Sequence, residues 1–207
     1  RALEQIHGEY IMFVDSDDWI NKTMVELLIS KIKEKPEIDA VFCGYKEYDE
    51  RGIKILQRVI PNFDDIVDRD AGVALIFGNY STMLWNKLFK ASLLQKKVWF
   101  RPDLKIGEDE LWMIEVLKGA NKIALIPDPL YNNRKRATGA SKNYSLSSAR
   151  LSEITSQKLV LKEINNYNSH ELTILAQERM YYSCQKIMKI AFYQRNFELF
   201  SKIDHDI

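Results

Sequence analysis

The stretch Tyr10-Ile11-Met12-Phe13-Val14-Asp15-Ser16-Asp17-Asp18-Trp19 decides how the rest of the chain is read. Five largely apolar residues run straight into three carboxylates. Tyr10 to Val14 is too short for a helix and shows no polar alternation, so it reads as a strand buried on both faces of a parallel sheet. The acids then stand where that strand stops, and the carboxyl edge of an open α/β sheet is where ligands bind. Asp15 and Asp17 flank one residue, so at a strand end both point to the same side. Two carboxylates that close are costly unless a cation lies between them. A hard divalent ion, Mg²⁺ or Mn²⁺, is the usual answer, and it brings phosphate oxygens with it.

Other readings of the same residues stand beside this one. Asp-Ser-Asp-Asp is also a good cap for a following helix. An EF-hand loop fits poorly, because its third ligand position falls on Trp19 and its required glycine on Ile20. An aspartate-nucleophile phosphatase also begins with a strand followed by Asp-x-Asp, but usually carries Thr or Val where Trp19 stands.

The segment from Gly8 to Trp19 closely resembles the Asp-x-Asp segment of family 2 glycosyltransferases, which have the GT-A fold. The resemblance implies that Asp15 contacts the donor's ribose or the metal and that Asp17 binds the metal. Asp18 matches a common third acid. It extends to Gly107-Glu108-Asp109 followed by Leu111-Trp112, which is similar to the family's Glu-Asp motif. Asp109 would then be the catalytic base, with Glu108 supporting it. Read on residue types alone, the same acids at a helix start complement the helix dipole. Two acidic motifs about ninety residues apart, in the family's order, are more specific than either alone.

Two further strings join the resemblance. Asn86-Lys87-Leu88-Phe89 is similar to one that precedes the family's catalytic segment, and implies that Lys87 reaches a phosphate or a sugar hydroxyl. The alternative is a solvated lysine on an amphipathic stretch. Tyr131-Asn132-Asn133-Arg134 is similar to the family's Tyr-x-x-Arg, with Ser141 matching a later serine, so Arg134 and Ser141 are expected at the donor. The two asparagines depart from the more aromatic usual string. From Tyr131 to Arg150 there are five basic residues and no acid. That composition suits a phosphate clamp or a solvated basic loop.

Between these motifs the coarse pattern is α/β. Arg1–His7 reads as a helix end stopped by Gly8, and Asn21–Lys35 as a helix with Met24, Leu27, Leu28 and Ile32 on one face. Ile38–Asp49 and Ile53–Ile60 read as a hairpin edging the sheet, and Asp68–Phe77 as a helix. Ile123–Ile126 reads as a short buried strand closed by Pro127-Asp128-Pro129. Ser145–Asn166 and Glu171–Phe192 read as a helical hairpin whose Met and aromatic stripe is core. An acceptor site or membrane-surface contact using Lys186, Lys189 and Arg195 is the weaker option. The expected fold is therefore a partial GT-A, Rossmann-like mixed sheet flanked by helices over 1–145, with a helical appendage over 146–207.

Composition bounds the rest. The 207 residues are 46% hydrophobic and 29% charged, an ordinary globular balance. A net charge of +1 gives no electrostatic case for nucleic acid. Two distant cysteines, Cys43 and Cys184, make neither a disulfide framework nor a zinc site, so a reducing, cytoplasmic setting is expected, with any membrane contact peripheral to the inner face. No apolar run approaches the ~20 residues of a membrane span.

The implied function is metal-dependent, inverting transfer of a sugar from a nucleotide-diphosphate donor, a UDP-sugar first, to a glycan or lipid-linked acceptor hydroxyl, in cell-surface polysaccharide or glycoconjugate synthesis. A metal-dependent phosphotransferase or phosphatase and a non-catalytic binding remnant are the alternatives. The chain opens at Arg1, and the resembled family places its base-binding strands before that point. This predicts a chain that alone transfers no sugar at a useful rate, binds UDP weakly and self-associates through a bare sheet edge.

Overall fold

The structure is a computed structural model and describes residues 2–60, 65–77, 81–96, 100–136 and 148–204. Its centre is a pair of long parallel strands, β3 (Ile38–Tyr48) and β7 (Lys122–Arg134). The other strands are short: β1 (Tyr10–Met12), β2 (Trp19–Ile20), β4 (Lys54–Arg58), β5 (Ile66–Asp68) and β6 (Lys87–Lys90). They form one mixed sheet in the order β1-β6-β3-β7-β2. On the outer side of β3, β6 pairs with Ala40–Phe42 and β4 with Tyr45–Tyr48. On the outer side of β7, β5 pairs with its first residues and β2 with Tyr131 and Asn132.

The helices are α1 (Met24–Lys33), α2 (Arg69–Phe77), α3 (Glu108–Leu117), α4 (Ser148–Ile164), α5 (His170–Tyr193) and α6 (Phe197–Asp204). One sheet face packs Val41, Cys43, Tyr45 and Ala124 against Met24, Leu28 and Ile32 of α1. The other packs Phe42, Phe89, Ile123 and Leu125 against α2, α3 and the helices beyond. Val160, Ile164, Leu172 and Ala176 lie in that same cluster, so α4 and α5 share the sheet's core. Tyr167, in a single 3₁₀ turn between them, donates its hydroxyl to the Ile114 carbonyl at 2.6 Å. The expected α/β sheet with a helical hairpin is therefore the observed one.

Several elements differ from the expectation. Ile38–Tyr48 is no hairpin edge but the most buried strand, since both its long sides are paired. The hairpin reading holds only for its last residues, which turn into β4. Tyr10–Met12 is no interior parallel strand. It runs antiparallel to β6 at one end of the sheet, with Ile11 buried and its neighbours half-buried. In α1, Leu27 is exposed and the buried face is Met24, Leu28 and Ile32. The prolines after Ile126 do not end β7. Three residues of β3, Cys43 to Tyr45, run beside six of β7, Ile126 to Tyr131, so the excess is taken up as a bulge and pairing resumes.

Strand directions place the ends. β1 opposes β6 and β6 opposes β3, so β1 runs in the same sense as β3 and β7. The residues after β1 therefore emerge at the carboxyl edge of the parallel pair. The turn Lys118–Asn121 joins α3 directly to the start of β7, which leaves the beginning of α3 toward the same edge.

The bulge depends on Gly44. A Cβ there would lie 2.7 Å from the carbonyl oxygens of Arg58 and Pro127 and 2.9 Å from that of Asp128. All three obstacles are backbone, so no side-chain rotation relieves them. We expect Gly44→Ala to cost about 3 kcal/mol or more, read as a lowered urea midpoint. An unchanged midpoint would mean that the bulge can be rebuilt.

Candidate active site

After β1 the chain turns at Ser16-Asp17, with the Asp18 N–H donating to the Asp15 carbonyl at 3.1 Å. The three acids of this turn have different surroundings. Asp18 is tied to β7: its carboxylate accepts from the Tyr131 hydroxyl at 2.8 Å, the Asn133 amide at 3.0 Å and the Arg134 N–H at 2.7 Å. Tyr131 in turn accepts from the Asp15 N–H at 3.1 Å and stacks on Trp85 with ring centroids 4.4 Å apart. Asp18 therefore holds the turn in place. None of the acids caps α1, whose N-cap is Thr23.

Asp15 and Asp17 are left facing outward. Burial, then the charges of Asp18 and Asp17, push the Asp15 carboxyl above its ordinary range. Asp17 pairs with Arg136, Nε to Oδ2, at 2.7 Å. Arg134, the expected donor ligand, bonds Asp18 through its backbone and lays its guanidinium over the Trp19 ring at 5.4 Å. Arg136 was not singled out; its signal was the alternation of the basic run, which puts it two residues beyond Arg134 along the extended chain. Ser141 lies outside the described residues.

Like-charge crowding at Asp15 and an arginine already seated on Asp17 both fit a site that takes a cation. Among the described residues no group of three or more His, Cys, Asp or Glu gathers to hold a metal. A divalent ion at this turn would find the Asp15 and Asp17 carboxylates and would need further oxygens from outside the chain, such as those of a phosphate.

The second motif begins at Gly107, whose φ of 86° lies in the left-handed region and which caps α3. A Cβ there would come within 2.5 Å of Ser156 Oγ. The Ser156 hydroxyl donates to the Gly107 carbonyl at 2.7 Å, and Ser152 Oγ accepts from the N–H groups of Lys105 and Ile106 at 3.0 and 3.2 Å. Two serines of α4 thereby fasten the loop that aims the acids. Glu110 turns inward, with Arg179 at 2.6 and 3.1 Å and Gln157 at 2.9 Å. Glu108 and Asp109 face a cavity of about 410 Å³.

Burial pushes the Asp109 carboxyl up to about 6, helped by the charges of Glu108 and Asp15 and opposed by Lys87. Asp15 and Lys87 thus both act on Asp109 although the three are far apart in sequence. The junction has a packed floor. Phe13, two residues before Asp15, meets Trp112, three after Asp109, edge-on at 5.3 Å, and Phe100 stacks on Trp112 at 5.1 Å.

Lys87 is not the solvated lysine of its alternative reading. It is fully buried, not solvated, and its ammonium donates to the carbonyls of Ser81 at 3.0 Å and Met83 at 2.5 Å and to Asn86 Oδ1 at 2.7 Å. Burial pulls it down to about 7. Its donors are directed at the 81–83 segment and at Asn86, so it ties that segment beside Asp109. The cavity also has a wall that carried no motif: Gln157 from α4 and Arg179, Ser183 and Lys186 from α5. Of these, Lys186 was expected only in the weaker acceptor or membrane-surface option, and Gln157, Arg179 and Ser183 carried no sequence signal.

The chain is similar to known proteins in sequence and in fold. Residues 1–93 match the family described as glycosyl transferase family 2. The chain is 31% identical over 162 residues to the glycosyltransferase GlyG of Streptococcus pneumoniae, covering 73% of this chain and 53% of that one. It is 23% identical over 206 residues to the cholesterol galactosyltransferase of Borreliella burgdorferi, covering 94% and 52%. It is similar in fold to the crystal structure of S. aureus TarS 1-349 in complex with UDP-GlcNAc, with a TM-score of 0.66 and 24% identity, over 91% of this chain and 49% of that one. The chain spans about half or less of the length of the curated relatives it matches. Among the described residues no helix is long and apolar enough to cross a membrane.

The raised Asp109 carboxyl has a consequence for stability. Its folded value lies above the ordinary 3.8. Its ionisation therefore opposes folding in full above about pH 6, and the opposition fades as pH falls from about 6 to the unfolded value. Asp109→Asn removes that charge. We expect the variant to melt about 2 to 4 °C higher than wild type at pH 7.5, with the gain lost at pH 3.5. Equal melting points at both pH values would mean that Asp109 is not held against its charge.

Proposed function

We propose that this chain, with a family 2 glycosyltransferase segment over residues 1–93 and the GT-A architecture, serves the transfer of a sugar from a nucleotide-diphosphate donor to an acceptor hydroxyl. The observation that carries this reading is the convergence of two acid motifs, Asp15–Asp17 and Asp109, at one edge of the sheet, with Asp15 among the charges that raise Asp109.

The division of labour follows from the surroundings of each acid. Asp17 and Asp15 present carboxylates for a divalent ion, Mg²⁺ or Mn²⁺, which when bound would neutralise the donor's diphosphate. Arg136, at Asp17, and Arg134, beside Trp19, are the cations that would hold phosphate oxygens. Asp109 takes the proton of the acceptor hydroxyl as its oxygen bonds to the anomeric carbon. The bond from that carbon to the diphosphate oxygen breaks, and the electron pair leaves with the nucleoside diphosphate. A single displacement inverts the anomeric centre. A carboxyl poised near 6 is well matched to accept a proton near neutrality. Glu108 supports it as a second charge, and Lys87 holds the 81–83 segment and tempers the charge of Asp109.

A UDP-sugar donor is supported by the TarS crystal structures, which are complexes with UDP-GlcNAc and with UDP. A role in cell-surface polysaccharide or glycoconjugate synthesis is supported by relatives such as the poly(ribitol-phosphate) β-N-acetylglucosaminyltransferase TarS of Staphylococcus aureus, 29% identical over 133 residues.

Two measurements on the complete enzyme test the assignment. Asp17→Asn should abolish the manganese-dependent part of UDP binding in isothermal titration without changing the circular dichroism; undiminished manganese-dependent affinity would remove Asp17 from the metal site. Asp109→Asn should spare UDP binding and lower turnover by ~10² to 10⁴. In the wild type, the base must be ionised, so kcat/KM should be level above about pH 6 and fall about tenfold per unit below it. A flat profile from pH 5 to 8 would exclude Asp109 as the base.

A further inference from the structure

The outer end of the helical hairpin carries apolar surface that the sheet does not use. Of the Met and aromatic stripe of α5, Cys184 is buried with Ile187, Ile154 and Ile203, and Met180 and Met188 pack on them. The aromatic members face the other way. Tyr182, Phe192 and Tyr193 are 67%, 56% and 74% exposed, and Phe197, at the start of α6, is 59% exposed. The Phe192 ring gathers its neighbours, with centroids 6.2 Å from Tyr193 and 6.3 Å from Phe197 and Phe200. A contiguous exposed patch of this kind marks an interaction surface.

The patch is framed by cations. Tyr182, Lys186, Lys189 and Tyr193 recur at helical spacing along one face of α5. Lys186, Lys189, Ile190, Tyr193 and Gln194 line a hollow of about 420 Å³. Lys186 is paired with Glu153 and also lines the cavity beside Asp109, so the patch begins where that cavity ends. From Met180 to Ile203 there are four basic residues and one acid, Glu198, in a chain whose net charge is only +1.

The corner between α5 and α6 holds one of those cations in an unusual backbone position. The Arg195 N–H donates to the Phe192 carbonyl at 3.0 Å and the Asn196 N–H to the Ala191 carbonyl at 2.9 Å, a helix ending commonly built on glycine. Arg195 takes a φ of 55° there, in the left-handed region. Asn196 Oδ1 then accepts from the Leu199 N–H at 3.1 Å at the start of α6. The corner is thus fastened on both sides, and the exposed Arg195 lies along it between Tyr193 and Phe197.

Aromatic rings beside cations match the interface of an anionic bilayer, where the rings settle at headgroup level and Lys and Arg meet the phosphates. A second copy of the chain would instead set these cations against each other across a two-fold axis. We propose that the end of α5, the corner and the start of α6 form a face that docks on an anionic lipid surface. Tyr182, Phe192, Tyr193 and Phe197 enter the headgroup layer, and Lys189 and Arg195 meet lipid phosphates. The proposal is independent of the glycosyl-transfer reading.

The test is sedimentation of the full chain with vesicles of phosphatidylcholine alone and of phosphatidylcholine and phosphatidylglycerol in equal parts. The chain should bind the mixed vesicles and not the neutral ones, and salt should release it. Tyr193→Ser combined with Phe197→Ser, both at exposed positions, should weaken partition about ten-fold or more. Arg195→Gly is the second variant. It should raise the urea midpoint, because glycine relaxes the left-handed turn, and yet weaken partition about five-fold, the worth of one cation at such a surface. A loss of binding in a more stable protein cannot come from misfolding. No binding to the mixed vesicles, equal binding to the neutral ones, or partition unchanged in both variants would overturn the proposal. So would tighter binding to a thymidine oligonucleotide than to the vesicles, which makes the patch a nucleic-acid surface. A dimer abolished by the same variants, with no lipid binding, would overturn it in favour of a contact between copies.

Discussion

The parallel pairing of β3 with β7 is the constraint from which the rest of the architecture follows. Two strands running the same way need a long crossover, and here it holds β4, β5, α2, β6 and α3. The last element of that crossover must return to the start of β7, so its own start lies toward the opposite, carboxyl end. Each long strand then has one free side, which short strands fill two at a time. β1 joins through β6 in the one sense that delivers Asp15–Asp18 to the edge where α3 begins. The close approach of three carbonyls to Gly44 lets the pair continue past the bulge, and the continued strand brings Tyr131, Asn133 and Arg134 to Asp18.

The two acid clusters are built alike. In each, one carboxylate is spent on structure: Asp18 on three donors of β7, Glu110 on Arg179 and Gln157. The spent acid fixes the backbone, and its neighbours are left to bear unfavourable charge. Asp15 is raised by burial and by its own companions, and Asp109 by burial, Glu108 and Asp15. Sequence motifs present all these acids as equivalent. Only their neighbours separate the ones that hold the site from the ones that work in it.

The parts legible in the sequence were those written in adjacent residues. An apolar run ending in Asp-x-Asp, and a glycine before Glu-Asp, locate the two motifs because each is local. The helices over 24–33, 69–77 and 170–193 follow from periodicity and punctuation. What failed was whatever a distant partner decides. Ile38–Tyr48 alternates loosely, yet is central because β6, β4 and β7 all pair with it. Two prolines looked like a strand end because the bulge that admits them depends on Gly44, more than eighty residues earlier. The burial of Lys87 was not legible, because two of its acceptors are main-chain carbonyls, which no side-chain pattern reveals. Gln157 and Arg179 were silent because the acid they meet, Glu110, belongs to another part of the chain.

The cavity wall is made of two different materials, and this bears on how such a protein diverges. The acids stand on a turn and a helix start whose backbones are held by many hydrogen bonds, so a change there disturbs several partners at once. The opposite wall is a set of side chains on the faces of α4 and α5, whose main-chain bonds are internal to each helix. A residue there that does not meet Glu110, such as Ser183 or Lys186, can be exchanged without breaking a bond that shapes the sheet edge. Two serines anchor α4 to the loop before α3 from separate turns of the helix, so the lining can drift while the anchorage stays. Lineages descending from one such chain can therefore explore new ligands by single substitutions along two helices, with the reacting edge inherited unaltered.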